Sequence, residues 1–414
     1  MLTRGSIRTL GYAPAQPPWV RKEALKIGIS CFGVGLGQAG GVQVYLRNLL
    51  RALARHDFSK NEYVLIAFPG GGRPDTPDHR FSVVELRWPS GRPVSNWRTR
   101  LMKLGLPGLS DPFSAQIDAL ALDLVHYPGT RMQEFALRTP VVLTFFDMQE
   151  EFFPAFFPVR ERFGRLLAKR RAVSRARTVI APSRFTAAAL EKRYRTPREK
   201  IACIPAGVGP EFSPFGAPGE RERLCARYGL PTGQFVFFPA NPWPHKNHER
   251  LLRAVRRLSE KLGSAVPVVC TGRLEGERRS VGALAAAAGL DASQVLDIGF
   301  VDSAQMPALF RAAWVVAFPT LFEGFGLPVI EAMASGCPVA CSDVPPLKEI
   351  GGHAAHYFDP TCEEAIAEGL AGVWQDRALR SALIERGLDR AREFGWDRIV
   401  PAILEAYERT ARSG

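Results

Sequence analysis

Residues 313–343 read AWVVAFPTLFEGFGLPVIEAMASGCPVACSD, and the order of residue types in them decides the fold. The apolar run 314–319 is short and continuous, as expected of a strand buried on both faces of a parallel sheet. A loop holding Glu323, Gly324, Phe325 and Gly326 follows. Pro328 suits the first turn of a helix, where its missing N–H costs nothing. Gly336 suits the C-terminal cap of that helix, and Pro338 opens the next apolar run. The result is a glycine-rich loop feeding a helix N-terminus, whose free N–H groups and macrodipole make an anion site apt for a diphosphate. Glu323 and Glu331 bracket the turn. Carboxylates there would repel phosphate, so accepting hydrogen bonds from sugar hydroxyls suits them better. An ordinary strand, turn and helix with surface acids is the alternative these residues leave open.

The same rhythm extends outward along the chain. Apolar, β-rich runs at 26–31, 63–68, 81–87, 122–127, 141–146, 178–182 and 200–205 alternate with helical stretches in the first half. Runs at 235–240, 267–271, 295–300, 314–319, 338–342 and 354–358 do so in the second. In 249–262, Leu251, Leu252, Val255, Leu258 and Leu262 share one helical face. This is the pattern of doubly wound α/β domains. Residues 205–219, PAGVGPEFSPFGAPG, lack periodicity and read as a linker between two such domains. A cleft between the C-terminal ends of their strands is then the expected ligand site.

Composition narrows the function classes. The 414 residues are enough for two substantial cores. Lys and Arg number 54 against 41 Asp and Glu, so the net charge of +13 points to an anionic partner. Seven scattered cysteines without a C-x-x-C pair fit neither a disulfide framework nor a zinc ribbon. Cys337 and Cys341 read as core thiols, and a reduced, cytoplasmic setting is expected. No run is long and apolar enough to span a membrane. Residues 1–23 read as a poorly ordered extension or a mis-set start.

Two further loops carry candidate chemistry. In ANPWPHKNH, 240–248, Lys246 sits between a strand and a helix and could neutralise a diphosphate. His245 and His248 could pair on a metal, but no third ligand is evident. In FGVGLGQAGGVQVYL, 32–46, Gly35, Gly37 and Gly40 match the dinucleotide fingerprint, yet no acid follows at the end of the second strand, which argues against NAD. The stretch 160–177, RERFGRLLAKRRAVSRAR, reads as a basic helix with Phe163, Leu166, Leu167 and Val173 apolar. It suits an anionic membrane surface, or is simply a solvated basic face. Ser183 is a candidate helix cap.

The run from Glu323 to Glu331, E-G-F-G-L-P-x-x-E-A-M-A-x-G-x-P-V, resembles the donor-site motif of the retaining GT-B glycosyltransferases grouped as family four (glycosyl transferases group 1). The resemblance implies an α/β GT-B fold: two Rossmann-like doubly wound domains facing across a cleft, with a C-terminal helix crossing back. On that pattern 24–208 forms an acceptor domain, 209–395 a nucleotide-sugar donor domain, and 396–414 the returning helix, preceded by the family-like Phe394-Gly395-Trp396. It implies that Glu323 contacts hydroxyls of the transferred sugar and that Glu331 holds the ribose. The backbone around Gly324, Phe325, Gly326 and Leu327 would face the diphosphate, and Lys246 would grip it. The family's second cation, an Arg, falls at Asn241, and Arg273 could supply the charge instead. Gly40 and Gly41 match the family's paired glycines beside the donor phosphates, and Tyr45 its acceptor-side tyrosine. Where the family commonly has His-Asp, this chain has Phe146-Asp147, which keeps Asp147 as a catalytic candidate beside Lys246 and Glu323. His126, ending the preceding strand, could face the same cleft, or be a histidine tucked at a strand end.

The expected activity is transfer of a hexose, such as mannose, from a nucleoside-diphosphate sugar to a hydroxyl of a glycan or lipid-linked acceptor, with retained configuration. Polysaccharide or lipopolysaccharide synthesis, peripheral attachment to the inner face of the cytoplasmic membrane, and no metal or cofactor go with it. The alternatives are a non-catalytic nucleotide-sugar-binding relative and an epimerase on the same scaffold. A nucleic-acid partner is not expected, because no recognisable binding motif supports it.

Overall fold

The apolar runs fix the two sheets of the molecule. The computed structural model describes residues 24–31, 41–70, 72–88, 113–130, 132, 134, 136–272 and 280–412. The first sheet holds β1 (Lys26–Ser30), β2 (Glu62–Ala67), β3 (Phe81–Glu85), β4 (Leu124–Tyr127), β5 (Val141–Thr144), β6 (Thr178–Ala181) and β7 (Ile201–Cys203). The second holds β8 (Val236–Pro239), β9 (Val268–Thr271), β10 (Val295–Asp297), β11 (Val315–Phe318), β12 (Val339–Ser342) and β13 (Ala355–Phe358). Each predicted run yields one strand. β4, β5, β6, β8, β9, β11 and β12 are buried along their whole length, which is why their sequences are continuously apolar rather than alternating.

The sheet orders are β3-β2-β1-β4-β5-β6-β7 and β10-β9-β8-β11-β12-β13. Every pair is parallel, with register such as Ile27 opposite both Tyr63 and Leu124, and Val316 opposite Val339. Both halves are therefore Rossmann-like. Each reverses its strand order between its first and fourth strands, and ligands bind at such switch points.

Helices follow their sequence signals. In His248–Leu262 the residues Leu251, Leu252, Val255 and Leu258 are buried against the second sheet. Ser183 caps Arg184–Tyr194, its hydroxyl accepting from the Thr186 N–H. Gly336 takes a left-handed φ of 72° just beyond Leu327–Ala334, as its C-terminal position requires. The basic stretch is a helix, Val159–Arg175, but only part of the expected apolar face is packed: Val173 is buried while Phe163 is 65% exposed.

The last helix, Trp396–Arg412, crosses back onto the first half. Its buried residues Trp396, Ile399, Val400, Ile403, Tyr407 and Thr410 follow the three- and four-residue spacing of one helical face. The Trp396 indole lies where a Cβ on Gly207 would be, and the Thr410 hydroxyl meets that of Thr178 at 2.7 Å. The linker residues 205–219 are irregular apart from a bridge between Val208 and Gly395, so the two chain crossings run side by side.

All seven cysteines are free, and Cys337 and Cys341 are buried core thiols. Among the described residues no helix is long and apolar enough to cross a membrane.

Candidate active site

The loops after β8 and β11, the switch-point strands of the second sheet, are tied together before they present any chemistry. Asn247 adopts a left-handed φ of 67° at the end of the Pro244–Lys246 turn. Its side-chain amide donates to the carbonyls of Pro319 and Pro360 at 3.0 and 2.8 Å. The His245 carbonyl accepts from the Leu321 N–H at 2.7 Å and the Thr320 hydroxyl at 3.1 Å. This lacing sets Lys246 beside Glu323: Nζ to Oε1 is 2.5 Å, and both side chains are largely sheltered. The Lys246 ammonium also sits 5.0 Å from the centre of the Phe318 ring, so part of its stem is desolvated.

From Glu323 the chain enters the glycine-rich turn. Gly326 has a φ of 110° and starts Leu327–Ala334 without a side-chain cap; Pro328 has no N–H and the Val329 N–H donates to the Gly326 carbonyl at 3.0 Å, so the Leu327 N–H is the one left for a ligand in the first turn. Gly324 has another constraint: a Cβ there would lie 1.8 Å from the Phe146 carbonyl oxygen. Its own carbonyl accepts from the hydroxyls of Ser183 and Thr186 at 2.7 and 3.0 Å. This glycine is thus one point where the two halves touch. Close by, the Glu349 carboxylate accepts from the backbone N–H of Arg184 at 2.8 Å, so the second half caps a helix of the first.

A cleft of about 500 Å³ opens between the halves. Lys246, Glu323, Gly324, Phe325, Gly326, Leu327 and Glu331 all line it from the second half, and Gly41, Phe146 and Asp147 line it from the first. Glu331 is almost wholly buried, and burial, followed by the nearby Glu211, pushes its carboxyl up to about 8. At neutral pH it is a protonated acid that can both donate and accept a hydrogen bond. Asp147 behaves in the opposite way. Burial raises it, but the Lys169 ammonium at 4.0 Å and hydrogen bonds from the Gln149 N–H and side-chain amide outweigh burial and hold it below the usual carboxylate range. Lys169 itself is buried in an ion pair with Glu150 at 2.6 Å.

Two expected acceptor-side residues are elsewhere. His126 is fully buried in β4, with Nδ1 at 2.7 Å from the Tyr407 hydroxyl and Nε2 at 2.7 Å from that of Thr144. Burial pulls its imidazole down to about 3, so it stays neutral and ties the returning helix to the sheet. Tyr45 is buried too, edge-on to the Phe146 ring at 4.8 Å and against Trp396 at 5.8 Å. It supports the Phe146 wall from beneath and does not line the cleft. Gly40 and Arg273 lie outside the described residues. His245 and His248 are buried and held neutral near 3 and 4, and no group of three potential metal ligands occurs among the described residues.

Several cleft residues escaped the sequence reading. Glu211 comes from the linker, Val44, Arg47 and Asn48 from the face of Gly41–His56, and Phe300 and Ser303 from beyond β10. Arg47 and Asn48 fall six and seven positions after Gly41, a helical spacing that could have found them. Nothing local marks Glu211, which reaches the cleft only because the linker folds against it.

Comparison with known proteins agrees with this geometry on both sides of the cleft. The family model described as Glycosyltransferase Family 4 matches residues 39–212, and that of Glycosyl transferases group 1 matches 221–390. The chain belongs to the GT-B family four glycosyltransferases. The chain is 27% identical to the O-antigen chain mannosyltransferase B of Escherichia coli over 56% of its own length, and spans 61% of that protein. It is 28% identical to a D-inositol 3-phosphate glycosyltransferase of Xylanimonas cellulosilytica, over 91% of its own length and 94% of the relative. Among solved structures, Anabaena HepE in complex with UDP and glucose superposes with a TM-score of 0.69, at 20% identity, covering 93% of this chain and 99% of that one.

Proposed function

We propose that the chain transfers a hexose from a nucleoside-diphosphate sugar to a hydroxyl acceptor, with the anomeric configuration retained. The observation that carries this reading is the pairing of Lys246 with Glu323 beside the uncapped start of Leu327–Ala334, inside the cleft between the halves. That set offers a cation, the Leu327 N–H and the positive end of the helix to a diphosphate, and a carboxylate to sugar hydroxyls. Glu331, protonated and deeper in the cleft, suits the ribose hydroxyls. In the reaction the anomeric carbon loses its bond to the diphosphate oxygen and gains one to the acceptor oxygen on the same face. The acceptor proton passes to the departing diphosphate. The protein's share is positioning and stabilisation of the growing negative charge by Lys246 and the 324–328 loop. Asp147 faces the cleft from the other half, where an acceptor hydroxyl would enter.

The relatives' names favour mannose as the sugar and a glycan or phosphorylated polyol as the acceptor. A lipid-linked acceptor would suit the surface formed by Phe156, Val159 and Phe163, which are exposed beside Arg160 and Arg162 on the basic helix. Co-sedimentation with anionic vesicles, lost on Phe163→Asp, tests that attachment.

The donor site is tested by thermal stability against UDP, GDP, ADP, dTDP and their sugars. Ligand at about 100 times its dissociation constant adds roughly 2.7 kcal/mol. A shift with one nucleoside diphosphate that Glu331→Ala abolishes supports the reading. The second reading, a binding relative without turnover, is favoured by Phe146 and Asn241 at positions where the family carries His and Arg. Donor binding with neither transfer nor hydrolysis would select it.

A further inference from the structure

The family's second phosphate cation falls at position 241, which is Asn in this chain, so a diphosphate in the cleft needs positive charge from somewhere else. Among the described cleft residues the cations are Arg47 and Lys246, and the carboxyl groups are those of Asp147, Glu211, Glu323 and the protonated Glu331. Lys246 is already matched by Glu323 at 2.5 Å. Asp147 has the Lys169 ammonium at 4.0 Å behind it, but without Arg47 the already paired Lys246 would be the one cation among the described cleft residues to meet a multiply charged anion.

Arg47 is built for the task. It lies on the cleft-facing side of Gly41–His56, two turns into the helix, and is exposed. No carboxylate among the described residues forms an ion pair with it. Its side-chain partner among the described residues is neutral: Nη1 donates to the Ser303 hydroxyl of the opposite half at 2.5 Å. An arginine in water-accessible space, held only by a hydroxyl, gives up that bond readily to a phosphate, whose oxygens match its planar fork. Resting on the proposed donor site, we infer that Arg47 is the second diphosphate-binding cation of this enzyme, delivered from the first half of the chain in place of the residue missing at 241. The donor diphosphate would then be gripped from both halves, with Lys246 on one side and Arg47 on the other.

The test is calorimetric titration of wild type, Arg47→Ala, Ser303→Ala, Arg273→Ala and the double variant Arg47→Ala/Asn241→Arg with the preferred nucleoside diphosphate, the matching monophosphate and the nucleoside. Arg47→Ala is expected to weaken the diphosphate by about 10- to 100-fold, the range of a charge-assisted hydrogen bond, and the nucleoside hardly at all. Returning a cation at position 241 is expected to recover most of that loss. Ser303→Ala, which frees the guanidinium, should keep or improve the affinity. The inference is overturned if Arg47→Ala binds the diphosphate as wild type does, or if Ser303→Ala loses as much as Arg47→Ala, which would make Arg47 a latch between the halves. It also fails if Arg273→Ala alone carries the loss, or if the nucleoside weakens equally. Wild-type protein that binds no nucleoside diphosphate would remove the donor-site reading and this inference together. Melting temperatures of the variants, expected within a few degrees of wild type, separate lost affinity from lost fold.

Discussion

Lys246 and Glu331 are buried to different degrees in the same cleft, and the difference sets what each can do. Lys246 is partnered by Glu323 at 2.5 Å, and on the proposed mechanism its loss would remove stabilisation of the leaving group. Lys246→Ala is expected to lower turnover by about 10²- to 10³-fold, the scale of removing one electrostatic donor from a transition state. Steady-state kinetics with the preferred donor checks this, and wild-type turnover would remove Lys246 from the mechanism. Glu331 holds its proton in the folded protein up to about pH 8, against an ordinary value of 4.5. The folded state therefore binds that proton more tightly than the unfolded chain. Its contribution to stability is fully present below about pH 4.5 and is lost as pH rises towards 8. Glu331→Gln removes this dependence, so the ligand-free variant should gain melting temperature relative to wild type between pH 5 and pH 8. A difference that stays flat across that range would mean the carboxyl titrates normally. Gly324 makes a third case. A methyl group there meets the Phe146 carbonyl at 1.8 Å, and backbone cannot swing away as a side chain can. Gly324→Ala should fold, since the residue sits at a surface between halves, but with the halves parted and turnover lost. Small-angle scattering would report an unchanged radius if the clash is absorbed locally.

At the level of elements, the returning helix Trp396–Arg412 is held by buried polar contacts as well as by its apolar face. Tyr407→Phe strands the Nδ1 of His126 in a dry environment and should cost about 1–3 kcal/mol, read as a lower melting temperature with unchanged nucleotide affinity. Normal stability with weakened binding would instead return His126 to the cleft. Elements were the most legible level in the sequence. The central strands of both sheets were visible because burial on both faces forces continuous apolar runs, and the glycine-rich loop because Glu323, Gly324, Gly326 and Pro328 each have a separate local reason for their position. His126 and Tyr45 were misplaced for one shared cause: a strand-end histidine and a helix tyrosine look alike in sequence whether they face a cleft or a packed helix. The covering helix lies some 280 residues further along the chain, at Tyr407, so no local pattern could reveal it. Glu211 was missed for the complementary reason, since the packing of 205–219 against the cleft rather than residue pattern brings it in, whereas the helical spacing from Gly41 does mark Arg47.

For the whole molecule, the contacts between halves at the cleft floor among the described residues combine polar links with one aromatic cluster, Phe322 against Phe152, Phe153 and Phe185. Ser183 and Thr186 meet Gly324, Glu349 caps Arg184–Tyr194, and Arg47 reaches Ser303. Phe322 adds an apolar contact to Phe152 at 5.0 Å. Such an interface is compatible with relative motion of the halves, and two side-by-side chain crossings, 205–219 and Gly395–Trp396, would confine that motion to swinging about one line. Nucleoside diphosphate bound from both sides should therefore slow hydrogen exchange in 182–186 and 322–327 together. Protection confined to the second half would show that the donor engages one half alone. The returning helix has a further consequence, for synthesis. The sheet of the first half ends at Cys203, yet His126 and Thr178 must wait for Tyr407 and Thr410 before their buried polar atoms are matched. At about 5–20 residues per second a ribosome needs roughly 10–40 s to make the intervening stretch. During that time the first half stands uncovered along one flank, a natural client for whatever shields nascent chains.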